Sequence, residues 1–141
     1  MSGKPPHPEI YLKALIVEDD AILQILHQKI LRSLFIDSIV AGTGMEAIEA
    51  LKNMEFDFVL MDINMPEQDG LDASRWIRDE KEIKNRDILI FALTSFTTEE
   101  HTKEILRAGM NEHLKKPLSR DDLKKILEKY FWSKNPPVQL S

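Results

Sequence analysis

Phe58-Val59-Leu60-Met61-Asp62 is the stretch on which the reading of this chain turns. Four apolar residues run without interruption and end on a carboxylate. A strand with one wet face alternates apolar and polar side chains, whereas a strand covered on both faces stays apolar throughout. Phe58–Met61 is therefore expected inside a parallel sheet, with Asp62 where the strand leaves it. Ala14-Leu15-Ile16-Val17 and the six-residue run Ile88-Leu89-Ile90-Phe91-Ala92-Leu93 have the same character. Ser38-Ile39-Val40-Ala41 and Glu112-His113-Leu114 read as weaker, more polar strands.

The segments between them carry a helical period. Leu23, Leu26, Ile30 and Leu34 recur three or four apart, as one face of a helix does. Gly44 opens a second helix with Ala47, Ile48 and Leu51 on one side, and Leu71–Arg78 is a third, offering Ala73, Trp76 and Ile77 for packing. Thr97 with Glu100 has the spacing of a capping box, so a fourth helix is expected to start there. It stops at Gly109, a residue suited to the left-handed position after a helix end. Ser119 with Asp122 starts the last helix, continued by Leu123, Ile126, Leu127 and Tyr130. Strands alternating with helices predict the α/β class: one doubly wound parallel sheet of five strands, with five helices on its two faces.

Composition bounds the rest. The chain has 141 residues, enough for one domain. Residues 13–132 are expected to fold, flanked by tails at 1–12, rich in proline, and 133–141, where Asn135-Pro136-Pro137 ends the last helix. The absence of cysteine excludes disulfides, zinc–thiolate sites and a thiol nucleophile. The net charge of −5 argues against direct nucleic-acid binding, which needs a basic face. No apolar run is long enough for membrane insertion, and the first residues lack the apolar centre of a secretory signal, so a cytoplasmic location is expected.

In sheets of this kind, ligands bind beyond the carboxyl ends of the strands. Glu18, Asp19 and Asp20 follow the first strand, Asp62 the third, Thr94 and Ser95 the fourth, and Lys115-Lys116-Pro117 the fifth. Singly, each has an ordinary use: acids at a helix N-terminus, a turn before Pro66, a cap, a solvated lysine. Together, at the ends of parallel strands, they form a carboxylate cluster with a hydroxyl and a lysine. Gathered carboxylates need raised pKa values or a cation. Oxygen donors select a hard ion, and Mg²⁺ is typically held by one or two carboxylates together with phosphate oxygens and water. The lysine and hydroxyl complete a cradle for a phosphoryl group, and Asp62 is the best-placed carboxylate to accept one.

Leu15-Ile16-Val17-Glu18-Asp19-Asp20, Met61-Asp62-Ile63-Asn64-Met65-Pro66-Glu67-Gln68-Asp69-Gly70-Leu71, Ala92-Leu93-Thr94-Ser95, Gly109-Met110-Asn111 and Lys116-Pro117 together resemble the receiver domain of two-component response regulators, the CheY-like, flavodoxin-like fold. The similarity runs from about Lys13 to Phe131. The resemblance implies strand order 2-1-3-4-5 and Asp62 as phospho-acceptor. It implies a Mg²⁺ site in which Asp19 and Asp62 ligate directly, Glu18 acts through water and Asn64 offers its backbone carbonyl. Thr94 would bond the phosphoryl group and move inward, Lys116 would pair with a phosphoryl oxygen, and the Lys116–Pro117 peptide would be cis. Asp20 would support the site or cap a helix.

The implied partners are a sensor histidine kinase or histidine phosphotransfer domain upstream and a protein effector downstream. No effector domain follows Phe131, so output through another protein is expected. Leu106, Met110, Leu127 and Phe131 are candidates for a partner surface or for the core. The chain would catalyse its own phosphorylation and dephosphorylation without being a turnover enzyme. Two positions stand out. His113 occupies the place where the family usually has Tyr or Phe, implying output coupling that differs or responds to pH. Phe96, two residues after Thr94, would obstruct the attacking water and slow phosphate loss. Three other readings compete. A haloacid-dehalogenase-type phosphatase would want Asp where Asn64 stands. A flavin or nucleotide binder would want a phosphate loop where Glu18-Asp19-Asp20 stand. A receiver acting only as a non-phosphorylated binding module would not need the full residue set.

Overall fold

The computed structural model describes residues 11–64, 70–95 and 98–132. The expected tails fall outside these residues except for Tyr11 and Leu12, as do Pro66, Phe96 and Thr97. The elements alternate without exception: β1 (Lys13–Val17), α1 (Ala21–Ser33), β2 (Asp37–Ala41), α2 (Gly44–Asn53), β3 (Phe58–Asp62), α3 (Gly70–Asp79), β4 (Leu89–Thr94), α4 (Glu99–Arg107), β5 (Glu112–Lys115) and α5 (Arg120–Leu127). A π-helical turn, Glu128–Trp132, continues α5. The sheet has the order β2-β1-β3-β4-β5, and every pairing is parallel. Leu12 is buried, and its carbonyl accepts from Asp37 N at 3.1 Å beside the start of the sheet.

β3 is buried at all five positions, because side chains of opposite orientation meet separate helical layers. Leu15, Val17, Val59, Met61, Ile90 and Ala92 face one apolar cluster with Ala47 and Leu51 of α2, Ile77 of α3 and Ile105 of α4. Ala14, Ile16, Phe58, Leu60, Phe91 and Leu93 face the other, with Leu31 of α1 and Leu123 and Leu127 of α5. On that side the Phe58 and Phe91 rings lie 5.2 Å apart, and Phe91 lies 5.6 Å from Tyr130. Two layers of helices on one sheet are the doubly wound arrangement the alternation predicts.

Local chemistry sets the helix ends, with some corrections. The fourth helix is capped by Thr98, whose side chain accepts from His101 N, and not from the Thr97 frame. Thr97-Thr98-Glu99-Glu100 offers two overlapping starts, and the chain takes the later one. Ser119 caps α5 through Asp122 N, as expected. Gly109, at φ +92°, ends α4, and Arg78 grips its carbonyl through Nε at 3.0 Å and Nη2 at 2.7 Å. Of the apolar face expected for α1, Leu34 is buried and Leu23 and Ile30 are half-buried, but Leu26 is 47% exposed, and within the helix His27 and Leu31 are the buried residues. The i,i+4 step from His27 to Leu31 faces the sheet, and the leucine spacing concealed it because an imidazole counts as polar. Trp76 is likewise not packed but 40% exposed, and Ala73, Ser74 and Ile77 face inward instead. Of the four partner-surface candidates, Met110 and Leu127 are core, Phe131 is half-buried and Leu106 is exposed.

Candidate functional site

Parallel pairing brings the carboxyl ends of β1, β3, β4 and β5 to one rim. β1 stops after Val17, and Glu18 N donates to Ala41 O at 3.0 Å, holding the next residue against β2. Asp20 then starts α1: its Oδ1 accepts from Ile22 N at 2.8 Å and Leu23 N at 3.1 Å. Asp20 thus spends its carboxylate on the helix. Its neighbours turn elsewhere: Glu18 is 1% exposed, whereas Asp19 lies open to solvent.

Asp62, 3% exposed, is the last residue of β3. Its Oδ1 accepts from Lys116 Nζ at 2.7 Å and from Asn64 N at 2.9 Å. Lys116 reaches it because Lys116 N donates to Thr94 O at 2.8 Å and extends the β4–β5 register past Lys115. The Lys116–Pro117 peptide is cis, as the resemblance implies. Asn64, exposed, lies two residues past the end of β3. Ligating oxygens from Glu18, Asp19 and Asp62 all lie within 4.8 Å of one another. At that spacing each pair of ionised carboxylates repels by on the order of 3–4 kcal/mol at an effective dielectric of 20.

Glu18 shows the strain of this arrangement. Its Oε2 accepts from Asp20 N at 3.1 Å, but its buried Oε1 has no hydrogen-bond partner among the described residues. Burial pushes its pKa up to about 7; the bond from Asp20 opposes this, and the charge of Asp62 adds to it. A divalent cation is the group that relieves all three conditions: crowded charge, all-oxygen donors and an orphaned buried oxygen. The residues present therefore fit Mg²⁺, which prefers carboxylates, carbonyls and water.

Thr94 ends β4, fully buried, on the same rim. His113 lies on β5 opposite Ala92 and is half-buried. Phe96 falls outside the described residues. Two residues here escaped the sequence reading. His27 is 4% exposed, and burial holds its imidazole below the usual range. It lines an apolar groove of about 330 Å³ beside Leu26, Lys116 and Pro117. His101, on α4, places Nε2 3.1 Å from Thr94 Oγ1. Its only sequence signal is its place three residues after the cap Thr98.

Known proteins share this arrangement. The family profile for the response regulator receiver domain matches residues 14–128. Chemotaxis protein CheY-3 of Vibrio cholerae is 35% identical over 121 residues, covering 85% of this chain and 92% of that protein. Among solved structures, the receiver domain of sensor histidine kinase PA1611 from Pseudomonas aeruginosa, with a magnesium ion in its active-site cleft, superposes with a TM-score of 0.75. The two are 32% identical, and the match covers 86% of this chain and 98% of that one. A Saccharomyces cerevisiae complex pairs the phosphotransfer protein Ypd1 with the receiver domain of the response regulator Ssk1. It matches with a TM-score of 0.76 and 27% identity, covering 85% of this chain and 88% of that chain.

Proposed function

The chain belongs to the response regulator receiver domain family, and from that membership we propose that it is a phospho-accepting switch in a two-component phosphorelay. A phosphohistidine on a sensor histidine kinase or a histidine phosphotransfer domain is the donor, and Asp62 is the acceptor. The observation that carries this reading is the Asp62 carboxylate itself, buried at the end of β3, with Lys116 Nζ 2.7 Å from Oδ1 inside a cluster of acids.

Asp19 and Asp62, with Glu18 through water and the Asn64 carbonyl, would hold Mg²⁺, which supplies positive charge for the phosphoryl oxygens and cancels carboxylate repulsion. A carboxylate oxygen of Asp62 bonds to phosphorus as the phosphorus–nitrogen bond breaks. The electron pair returns to the donor imidazole, which takes up a proton and leaves as neutral histidine. The Lys116 ammonium pairs with a phosphoryl oxygen, and the Thr94 hydroxyl donates to another. The acyl phosphate carries a charge of roughly −2 where the free carboxylate carried −1, and it adds several strong acceptors. The populations of the α4–β5–α5 surface then shift toward a form that a protein effector recognises. The chain promotes its own phosphorylation and phosphate loss and turns over no external substrate. A cytoplasmic location goes with this reading.

Incubation with acetyl phosphate and Mg²⁺, followed by mass spectrometry, tests this. The expected result is an adduct of about 80 Da on Asp62, absent in Asp62→Asn and absent with chelator. An adduct on another residue, or none together with no Mg²⁺ uptake by calorimetry, would leave only a binding module.

A further inference from the structure

The Thr94 hydroxyl already has a partner, and that partner lies on the next helix. Thr94 Oγ1 is 3.1 Å from His101 Nε2. His101 is set in the first turn of α4 by Thr98, whose Oγ1 accepts from His101 N at 3.2 Å. The imidazole is 18% exposed, and on its other side Nδ1 faces Glu104 Oε1 at 3.4 Å. A neutral imidazole carries its proton on one nitrogen and accepts on the other. A carboxylate beside Nδ1 favours the proton there, which leaves Nε2 as the acceptor. Thr94 must then be the donor. A hydroxyl has one proton, so while it points to His101 it is not available to an oxygen carried on Asp62.

We propose that His101 is a positioning residue that holds the Thr94 hydroxyl proton toward α4, so that Thr94 turns to a phosphoryl group on Asp62 only by releasing the first turn of that helix. This rests on the reading of Asp62 as the phospho-acceptor. The device gives occupancy of the rim a mechanical consequence. The bond gained at Asp62 is the bond lost at His101, and His101 shares its solvent-facing side with Glu100, Lys103, Glu104 and Arg107 of α4. It also sets a threshold, because the resting bond competes with activation.

Ring-nitrogen NMR of the resting, metal-free protein gives the first test and does not depend on phosphorylation. His101 is expected as the Nδ1–H tautomer, and an Nε2–H tautomer or a doubly protonated ring, either of which makes Nε2 a donor, would overturn the proposal. The second test titrates beryllofluoride, a phosphoryl mimic, with Mg²⁺ into wild type and variants. His101→Phe, which keeps a ring but cannot accept, is expected to bind about threefold to tenfold tighter, the equivalent of one competing hydrogen bond. Should that variant not fold, His101→Leu removes the same acceptor. His101→Gln, whose amide oxygen still accepts, is expected within about twofold of wild type. In a Thr94→Val background the gain from His101→Phe is expected to vanish, since coupled residues are not additive. Equal binding of His101→Phe and wild type, or a gain that persists with Thr94→Val, overturns the proposal. If wild type takes up no beryllofluoride, the phosphorelay reading fails on its own account, and the tautomer still decides where the Thr94 proton lies.

Discussion

Glu18 and Glu112 lie on different strands of the sheet, and the same side chain is driven in opposite directions. Glu18 follows β1 at the carboxyl rim; Glu112 begins β5 at the amino end. Burial acts against ionisation at both. At Glu112 the opposing bonds win: Oε2 accepts from Lys129 Nζ at 2.6 Å and from Tyr130 OH at 2.7 Å. Despite burial, these bonds and the positive charge of Lys129 hold its pKa below the usual glutamate value. Glu18 has no such company. Burial dominates, one oxygen has no partner among the described residues, and its pKa rises to about 7. The surroundings of Glu112 are finished as a structure, while the carboxyl rim around Glu18 is left electrostatically incomplete.

The largest test of that contrast is the pH dependence of stability without metal. A folded pKa raised from 4.5 to about 7 means that the folded state binds a proton the unfolded state has released. Stability from this source is fully present below the unfolded value and is lost as pH rises through about 7. At roughly 1.4 kcal/mol per unit, the loss is on the order of 3 kcal/mol. Urea denaturation in chelator at pH 5 and pH 8 should show it. Glu18→Gln should flatten the profile, and Mg²⁺ should restore stability at pH 8 by binding the folded state. A profile as steep in Glu18→Gln as in wild type would refute the assignment.

Gly70→Ala should damage the same rim from behind. A Cβ at Gly70 would lie 2.6 Å from Asp62 O and 2.7 Å from Ile63 Cα, both backbone positions. Backbone must move, at a cost of about 1–3 kcal/mol. Mg²⁺ affinity should fall with it, because Asp62 moves, whereas the raised phenol pKa of Tyr130, pushed to about 12 by burial and its bond to Glu112, should stay put. Ultraviolet titration of the tyrosine would detect any spread of the damage. A shift in that titration would mean the two sites are mechanically coupled.

The same contrast explains what was legible in the sequence. The sheet could be read because burial on both faces requires the unbroken apolar runs that surround Val59 and Ile90. The carboxylate cluster could be read because parallel strands must deliver residues such as Asp62 and Lys116 to one rim. Contacts set by side-chain direction could not. His27 occupies a core position of α1 that the leucine pattern assigned to Leu26. The α4 start depends on which of two adjacent threonines accepts a backbone bond, and pattern alone does not choose. His101 meets Thr94 across seven residues of sequence, a contact with no local period.

The smallest effect belongs to Glu112, and its sign is the useful part. A depressed folded pKa contributes stability that is present above the unfolded value and lost as pH falls through the folded one, the reverse of the slope at Glu18. Glu112→Gln should therefore cost about 1 kcal/mol near neutral pH, since Lys129 is largely solvated and its pairing is screened. The cost should shrink in acid, where the wild-type carboxylate is itself protonated. Urea titrations at pH 7 and pH 3 check this, and beryllofluoride affinity should not change, because no bond at the rim involves Glu112. A loss of affinity would mean that Glu112 also sets the geometry of Lys116, just past the other end of the same short strand, and the division between a structural and a reactive carboxylate would have to be redrawn.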